Sequence, residues 1–512
     1  MPPLHNTQRR YFAAFLWGGV AGLGFAPIHC TPALLLALAW LYKSLSTETH
    51  RFKLGWYFGF GQALACLYWL YTPLTFNWPR FVAFIPIVCL ILPGYLALYT
   101  GLTSKIQLFF ASSWKRGPAL MAAQWTIAEW LMGQLFTGFP WILVGYTWLW
   151  PLSILQIAAY GGIHGVSFFT VLLGALFGEA WRRQHDVWKT PIVAACLLFC
   201  VVCGLGTLRL RCVTYEERPH PLVLRLVQGN IPQEVKWKAP LRMRHLETYL
   251  DLSRGGADTL PHIIVWPEAA FPFLFEPHSN LSLFLGQCLA PSQILLMGAL
   301  RQEQKEVRNC LMALDASGHL LAQYDKVRLL PFGDYVPYAG FLPIQRVAQG
   351  LGLADTSPGT NGLWWNMTLP NVPKCTPLIC YEVVFPRNFP FFRNRTEWLL
   401  NITNDAWFGR SSEPYQHAHI CRFRAIEEGV PLVQVANTGK TCVFTAVGEE
   451  TVSLPLYVTE YRDCVLPVPT KYPPLFSYLG SFPFIIVYCI LAVFLRYIPN
   501  KIKERRRSTM LS

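Results

Sequence analysis

Charge is scarce in this 512-residue sequence: Asp, Glu, Lys and Arg make up 14% of it, against 53% apolar residues and 15% aromatics. That scarcity excludes a purely soluble protein. There is no P-loop, no dinucleotide fingerprint and no zinc-type ligand cluster, so no cofactor and no metal are expected. A disulfide framework is lacking too, because the fifteen cysteines are odd in number and irregularly spaced. Cys200 and Cys203 form a CxxC, but inside an apolar run, where helix packing is the better reading than redox or metal chemistry. The first apolar stretch has no convincing small-residue cleavage site and reads as an uncleaved span. Four N-x-S/T sequons, at Asn280, Asn366, Asn394 and Asn401, would matter only in a eukaryotic secretory pathway.

The apolar residues are unevenly spread. A spanning helix needs ~20 mostly apolar residues. Candidates lie at about 10–28, 31–46, 55–74, 81–102, 118–137, 155–180 and 191–210, with a last one at 476–497. Lys and Arg alternate from loop to loop. Arg9 and Arg10 precede the first run, Lys43, Arg51 and Lys53 follow the second, and Lys105, Lys115 and Arg116 the fourth. Arg182, Arg183 and Lys189 follow the sixth, and five basic residues from Lys501 to Arg507 follow the last. The alternate loops 75–80 and 138–153 hold only Arg80. By the positive-inside rule both termini are cytoplasmic and residues 212–470 lie on the opposite face. The net charge of +14 is thereby explained by loops and tail meeting anionic lipid, and nucleic-acid binding is not expected. Three regions follow: a transmembrane domain of about seven helices (1–211), a soluble domain (212–470), and a last helix with a basic tail (471–512).

Within 212–470, short β-branched runs recur at 222–228, 262–266, 293–299, 309–315, 377–380, 397–403, 430–436 and 441–447. Helical patterns, such as Lys238–Ser253 and Pro414–Glu428, lie between some of them. This alternation predicts an α/β domain whose reactive groups collect at strand ends. Four polar motifs sit there: Glu268 in WPEAAFP, Lys326, Arg328 and Asp334 in YDKVRLLPFGDYVP, Cys380 and Glu382 in TPLICYEVVFP, and Asn404 and Asp405 in NITNDAWFG. Each alone is also an ordinary loop acid, surface lysine, core cysteine or Asx turn. Together they form chemistry. A thiolate attacks acyl groups, a nearby ammonium favours it and holds the oxyanion, and a carboxylate relays the proton. No histidine is required.

WPEAAFP, YDKVRLLPFGDYVP and ICYEVVFP, in that order, resemble the Glu-Lys-Cys triad of the nitrilase (carbon–nitrogen hydrolase) superfamily. With GLGFAPIH, FTGFPW, VQGNIPQEVKW, TNDAWFG and RAIEEGVPLVQVANTG, nearly the whole chain resembles the bacterial apolipoprotein N-acyltransferases. The resemblance implies a nitrilase-like αββα sandwich facing the periplasm of the inner membrane. It implies a phospholipid acyl donor, phosphatidylethanolamine-like, and diacylglyceryl-cysteine apolipoproteins as acceptors. It casts Cys380 as nucleophile, Glu268 as general base and Lys326 as oxyanion and thiolate stabiliser. Asp334 and Glu382 become supporting acids that orient the lysine and thiol, while Trp237, Tyr381 and Trp407 line the acyl pocket.

Two positions depart from the family pattern: Asp334 stands where Glu is usual, and Met132 where Arg is expected. Glu129, the one clear carboxylate within a span, is either functional or a helix-end cap or pair. Two rival readings are a membrane-anchored amidase acting on a small soluble amide and a transporter. Seven spans exceed what a tether needs, and a transporter should show matched repeats and more intramembrane charge than Glu129.

Overall fold

The computed structural model describes residues 4–76, 82–109, 115–183, 188–256, 260–331, 333–335, 356–389 and 395–497. They form two compact units: Met1–Tyr71 with Phe84–Cys212 and Leu479–Ser512, and Thr72–Ala83 with Val213–Tyr478.

The first unit is helical. Its main helices are α1 (Leu4–Gly22), α2 (Thr31–Leu45), α3 (Arg51–Cys66), α4 (Ile85–Ile106), α5 (Arg116–Met132), α6 (Ala158–Arg182), α7 (Lys189–Cys212) and the C-terminal helix Phe482–Tyr497. Every expected apolar run holds one of them. Three, α4, α6 and α7, are long and apolar enough to cross a membrane by length and composition. The expected runs 55–74 and 118–137 overshoot. α3 stops at Cys66 before a 3-10 turn at Tyr68–Tyr71, and α5 stops at Met132 before a turn in which Phe136 adopts a φ of 51°. α6 is the buried centre, with 83% of its apolar window inside, against 22% for α4 and 17% for α7. α1 and α3 meet backbone to backbone. A Cβ at Gly18 would lie 2.0 Å from the Phe58 carbonyl oxygen, and one at Gly61 would lie 2.1 Å from that of Phe15. Glu129 accepts from Trp125 Nε1 (3.1 Å) and the Val144 N–H (2.8 Å), so it is bonded within the unit, with Met132 beside it lining the same small cavity.

The second unit holds two sheets. β1 (Val223–Gln228), β2 (Ile263–Val265), β3 (Leu274–Phe275), β4 (Ile294–Glu303), β5 (Glu306–Leu314), β6 (Leu320–Asp325) and β13 (Glu460–Val465) form one, in the order β13-β1-β2-β4-β5-β6 with β3 on β4. β7 (Met367–Leu369), β8 (Val372–Ile379), β9 (Trp398–Thr403), β10 (Leu432–Ala436), β11 (Thr441–Phe444) and β12 (Glu450–Leu454) form the other, in the order β12-β11-β10-β9-β8-β7. Each has a parallel centre, β1-β2-β4 and β8-β9-β10, flanked by antiparallel strands.

Side chains alternate across each strand, and both faces are covered. Leu224, Leu226, Ile263 and Val265 pack against Ile379, Leu400, Ile402 and Val433 between the sheets. Val227 and Ile264 turn outward onto Leu246 and Tyr249 of α8 (Arg242–Arg254) and Leu285 of α9 (Asn280–Gln287). α10 (Glu413–Glu428) packs on β10 and β11 of the second sheet. The order of layers is α-β-β-α. The pattern missed β3, β6, β7, β12, β13 and α9. Edge strands β12 and β13 are charged and half-exposed, so no apolar run marks them.

Candidate active site

Glu268 follows β2 in a loop, as the proline before it suggests. Gly298 on β4 makes room for that loop, since a Cβ there would lie 2.3 Å from the Pro267 oxygen and 2.6 Å from the Ala269 nitrogen. The Glu268 carboxylate is buried. Oε1 accepts from Asn309 Nδ2 (2.7 Å) and Lys326 Nζ (3.2 Å), and Oε2 from the Asn404 N–H (2.9 Å).

Lys326 is the first residue beyond β6, and its own N–H is tied to the Asn309 carbonyl at 2.8 Å. Its buried ammonium lies 2.8 Å from Asp334 Oδ2. Burial alone would lower its proton affinity. The charges of Asp334, then Glu268 and Cys380, override this and hold it well above the ordinary lysine value.

Cys380 directly follows β8 and opens a 3-10 turn over Cys380–Val384, with φ of 53°. A left-handed non-glycine residue costs roughly 1–3 kcal/mol and persists only where its surroundings enforce it. Two groups do so. Glu382, fully buried, accepts from the N–H of Ile379 (2.7 Å), Val327 (2.7 Å) and Arg328 (2.9 Å) and from the Tyr324 hydroxyl (3.1 Å). It thus joins the Cys380 turn to the loop that carries Lys326. His417 Nε2, from α10, bonds the Cys380 carbonyl at 3.2 Å. Burial pushes the Glu382 carboxyl up to about 7 against the pull of those N–H donors. Burial, then the charge of Glu268, push the Cys380 thiol well above its ordinary value, and Lys326 pulls it back. Cys380 therefore rests as a thiol, with a carboxylate and an ammonium acting on it.

The remaining expected residues fall in two groups. Asp334 meets Lys326 as the resemblance implied, whereas Glu382 touches neither the ammonium nor the thiol and acts on backbone. Trp237 is 38% and Trp407 40% exposed, and the Trp407 ring meets Phe76 edge-on at 5.8 Å. Tyr381 is buried and packs edge-on against Phe385, so it backs the site instead of presenting an open surface.

Sequence reasoning assigned no role to Lys236, Asn309 or His417, each too common a residue in too plain a context to stand out. It also found no ligand cluster, yet Asp405, Glu413 and His417 bring one ligand atom each within 4.8 Å of one another. Folding does this by setting α10 against the end of β9, and Thr403 donates to Asp405 Oδ1 at 2.6 Å. Burial holds the Glu413 carboxyl well above its usual range, with the charge of Asp405 adding to the effect.

Two family models match the chain: the apolipoprotein N-acyltransferase N-terminal domain over residues 17–176, and carbon-nitrogen hydrolase over residues 224–460. A Rhodopseudomonas palustris apolipoprotein N-acyltransferase is 32% identical over 509 residues, covering 93% of this chain and 92% of its own. One from Rickettsia typhi is 31% identical over 94% of this chain and 97% of its own. The crystal structure of an amidase from Nesterenkonia sp. aligns with 50% of this chain and 93% of its own, at 17% identity and a TM-score of 0.33.

Proposed function

The chain belongs to the apolipoprotein N-acyltransferase family and is an acyltransferase of the membrane, and from that premise we propose a ping-pong reaction through a thioester on Cys380. The donor is a phospholipid, and the acceptor is the α-amine of a lipoprotein's N-terminal diacylglyceryl-cysteine. One observation supports this above the rest: Glu268 and Lys326, from the ends of β2 and β6, meet at 3.2 Å in a buried cluster whose charges act on the strained Cys380 at the end of β8.

In the first half, a Glu268 oxygen takes the Sγ proton and the thiolate attacks the ester carbonyl. Lys326 and backbone N–H groups hold the oxyanion. Collapse breaks the ester C–O bond, and Glu268 returns the proton to the leaving lysophospholipid oxygen. In the second half the neutral amine attacks the thioester carbonyl, Glu268 accepts the amine proton, the C–S bond breaks, and the leaving thiolate takes that proton from Glu268 to restore the resting thiol. Asp334 keeps Lys326 charged throughout, and Glu382 holds the turn. Trp237 and Trp407 meet the acyl chains, while Tyr381 backs the pocket.

We further place residues 1–211 and 471–512 in the inner membrane with both termini cytoplasmic, and the catalytic domain, 212–470, in the periplasm. The alternation of Lys and Arg between loops supports that orientation. Lipid then enters laterally, since each CH₂ drawn into water would cost ~0.8 kcal/mol.

The test incubates enzyme with acyl-labelled phospholipid and no acceptor. A hydroxylamine-sensitive label on wild type, absent in Cys380→Ser, should chase into added lipoprotein. Label that reaches the acceptor only when both substrates are present, and never rests on the enzyme, would replace the thioester with direct transfer.

A further inference from the structure

Lys236 is a buried ammonium without a carboxylate of its own. It is 4% exposed, and among the described residues no Asp or Glu oxygen lies within ion-pair reach of it. Its Nζ donates to the backbone carbonyl of Glu268 at 3.2 Å and lies 5.8 Å from the ring of Trp237. The loop that carries it is pinned twice just before it. The Ile231 N–H bonds Asn437 Oδ1 (2.9 Å), and Asn404 Nδ2 bonds Gln233 Oε1 (2.9 Å). A buried cation that is fixed yet unpaired is costly, and folds retain such groups where the charge is used.

The charge balance of the site shows the use. Lys326 serves two carboxylates, Glu268 at 3.2 Å and Asp334 at 2.8 Å, so these three groups sum to one negative charge in a buried pocket. Moving a proton from Cys380 to Glu268 takes the three groups to zero and puts the one negative charge on sulfur, so the total with Cys380 stays at one negative charge. We propose that Lys236 is the second cation of the acyl-transfer site, neutralising the charge that Asp334 leaves uncompensated and so letting Glu268 and the Cys380 thiolate be negative in turn. This rests on the reading of Cys380 as nucleophile. Through its bond to the Glu268 carbonyl, Lys236 is also a positioning residue.

Burial lowers Lys236 to about 8, while Glu268 first and Cys380 second draw it upward. The other groups around the thiol are Lys326 beyond β6, Asp405 and the Thr403 hydroxyl at the end of β9, and His417 of α10 through the Cys380 carbonyl. On the far side of Lys236 stands His245 of α8.

The experiment alkylates the full-length protein in detergent with iodoacetamide across pH and follows the Cys380 peptide by mass, with Cys380→Ser as blank. Lys236→Gln removes the charge but keeps a donor for the Glu268 carbonyl, Lys236→Met removes both, and Lys236→Arg keeps the charge. At pH 7, where Lys236 is charged, the alkylation rate should fall about tenfold or more in the Gln and Met variants and stay near wild type in Arg. Should the Met variant fail to fold, Gln decides the matter. A rate in Gln at pH 7 equal to or above that of wild type overturns the proposal. Failure here is separable from failure of the thioester reading. If wild type still takes a hydroxylamine-sensitive acyl label, only Lys236 loses its role; if it never takes that label, the alkylation rate at pH 7 still reports on Lys236.

Discussion

Asp334→Asn removes the nearer of the two carboxylates that hold Lys326 while keeping the shape of the side chain. The bond at stake is 2.8 Å long and its lysine is 2% exposed, but the Asp334 side chain is itself 16% exposed. Breaking a buried ion pair from one side costs ~3–5 kcal/mol, and the partial exposure of Asp334 argues for the lower end. Burial then meets less opposition at Lys326, so the ammonium gives up its proton at lower pH. If about 3 kcal/mol is expressed in the transition state, turnover falls roughly 100-fold. The alkaline limb of the pH–rate profile also moves down, because a neutral lysine neither favours the thiolate nor holds the oxyanion. Asp334→Glu should behave differently, because it restores the charge. It gives up only the bond by which Asp334 Oδ2 accepts the Leu330 N–H at 2.7 Å, worth ~1 kcal/mol, so activity should stay within roughly tenfold of wild type. The assay is the rate of lipoprotein amine acylation from pH 6 to 10, with thermal unfolding in parallel. A wild-type alkaline limb in Asp334→Asn, or a Glu variant as poor as the Asn one, refutes the reasoning.

Cys380→Ala should abolish transfer with unfolding unchanged, and retained acylation by a well-folded variant would remove Cys380 from the mechanism. His417→Ala should lower turnover about tenfold with the lipid KM unchanged, since it frees the carbonyl of a strained turn; a KM effect alone would count against this. Trp407→Ala should raise the lipid KM while Cys380 alkylation stays as in wild type, because its exposed ring meets Phe76 and not the thiol's partners. Lys236→Met should be the more stable protein at pH 7, by about 3 kcal/mol, because an ammonium driven down to about 8 is costly while charged. The sign with pH follows from proton binding. Above about 8 the folded wild type gives up a proton that the unfolded chain keeps, so wild-type stability should gain on the variant up to the ordinary lysine range. Calorimetric unfolding across that range checks it, and a gap that widens instead would show the lysine to be stabilised by its burial site.

Sequence alone determined what depends on local order along the chain. Spacing and hydropathy placed the apolar runs, because the lipid phase demands length and composition that few other contexts produce. They also placed the central strands, since strands buried on both faces must be apolar throughout, as in HIIVW and EWLLNIT. The candidate residues Glu268, Lys326 and Cys380 stood out because each lies beside a strand end in a distinctive motif. The edge strands β12 and β13 were not, because half-exposed strands carry charge and resemble loops.

Only the tertiary structure decided which plain residues belong to the site. Lys236, Asn309 and His417 come from a loop, a strand and a helix far apart in sequence, and reach Glu268 or Cys380 only once the two sheets stack and α10 settles on its own. It also separated the two supporting acids. Asp334 met the ammonium, but Glu382 turned to backbone N–H groups whose direction depends on where β8 ends and the loop beyond Lys326 passes. A hydrogen bond is settled within a few tenths of an ångström between segments that hydropathy treats independently, so no pattern along one chain can announce it.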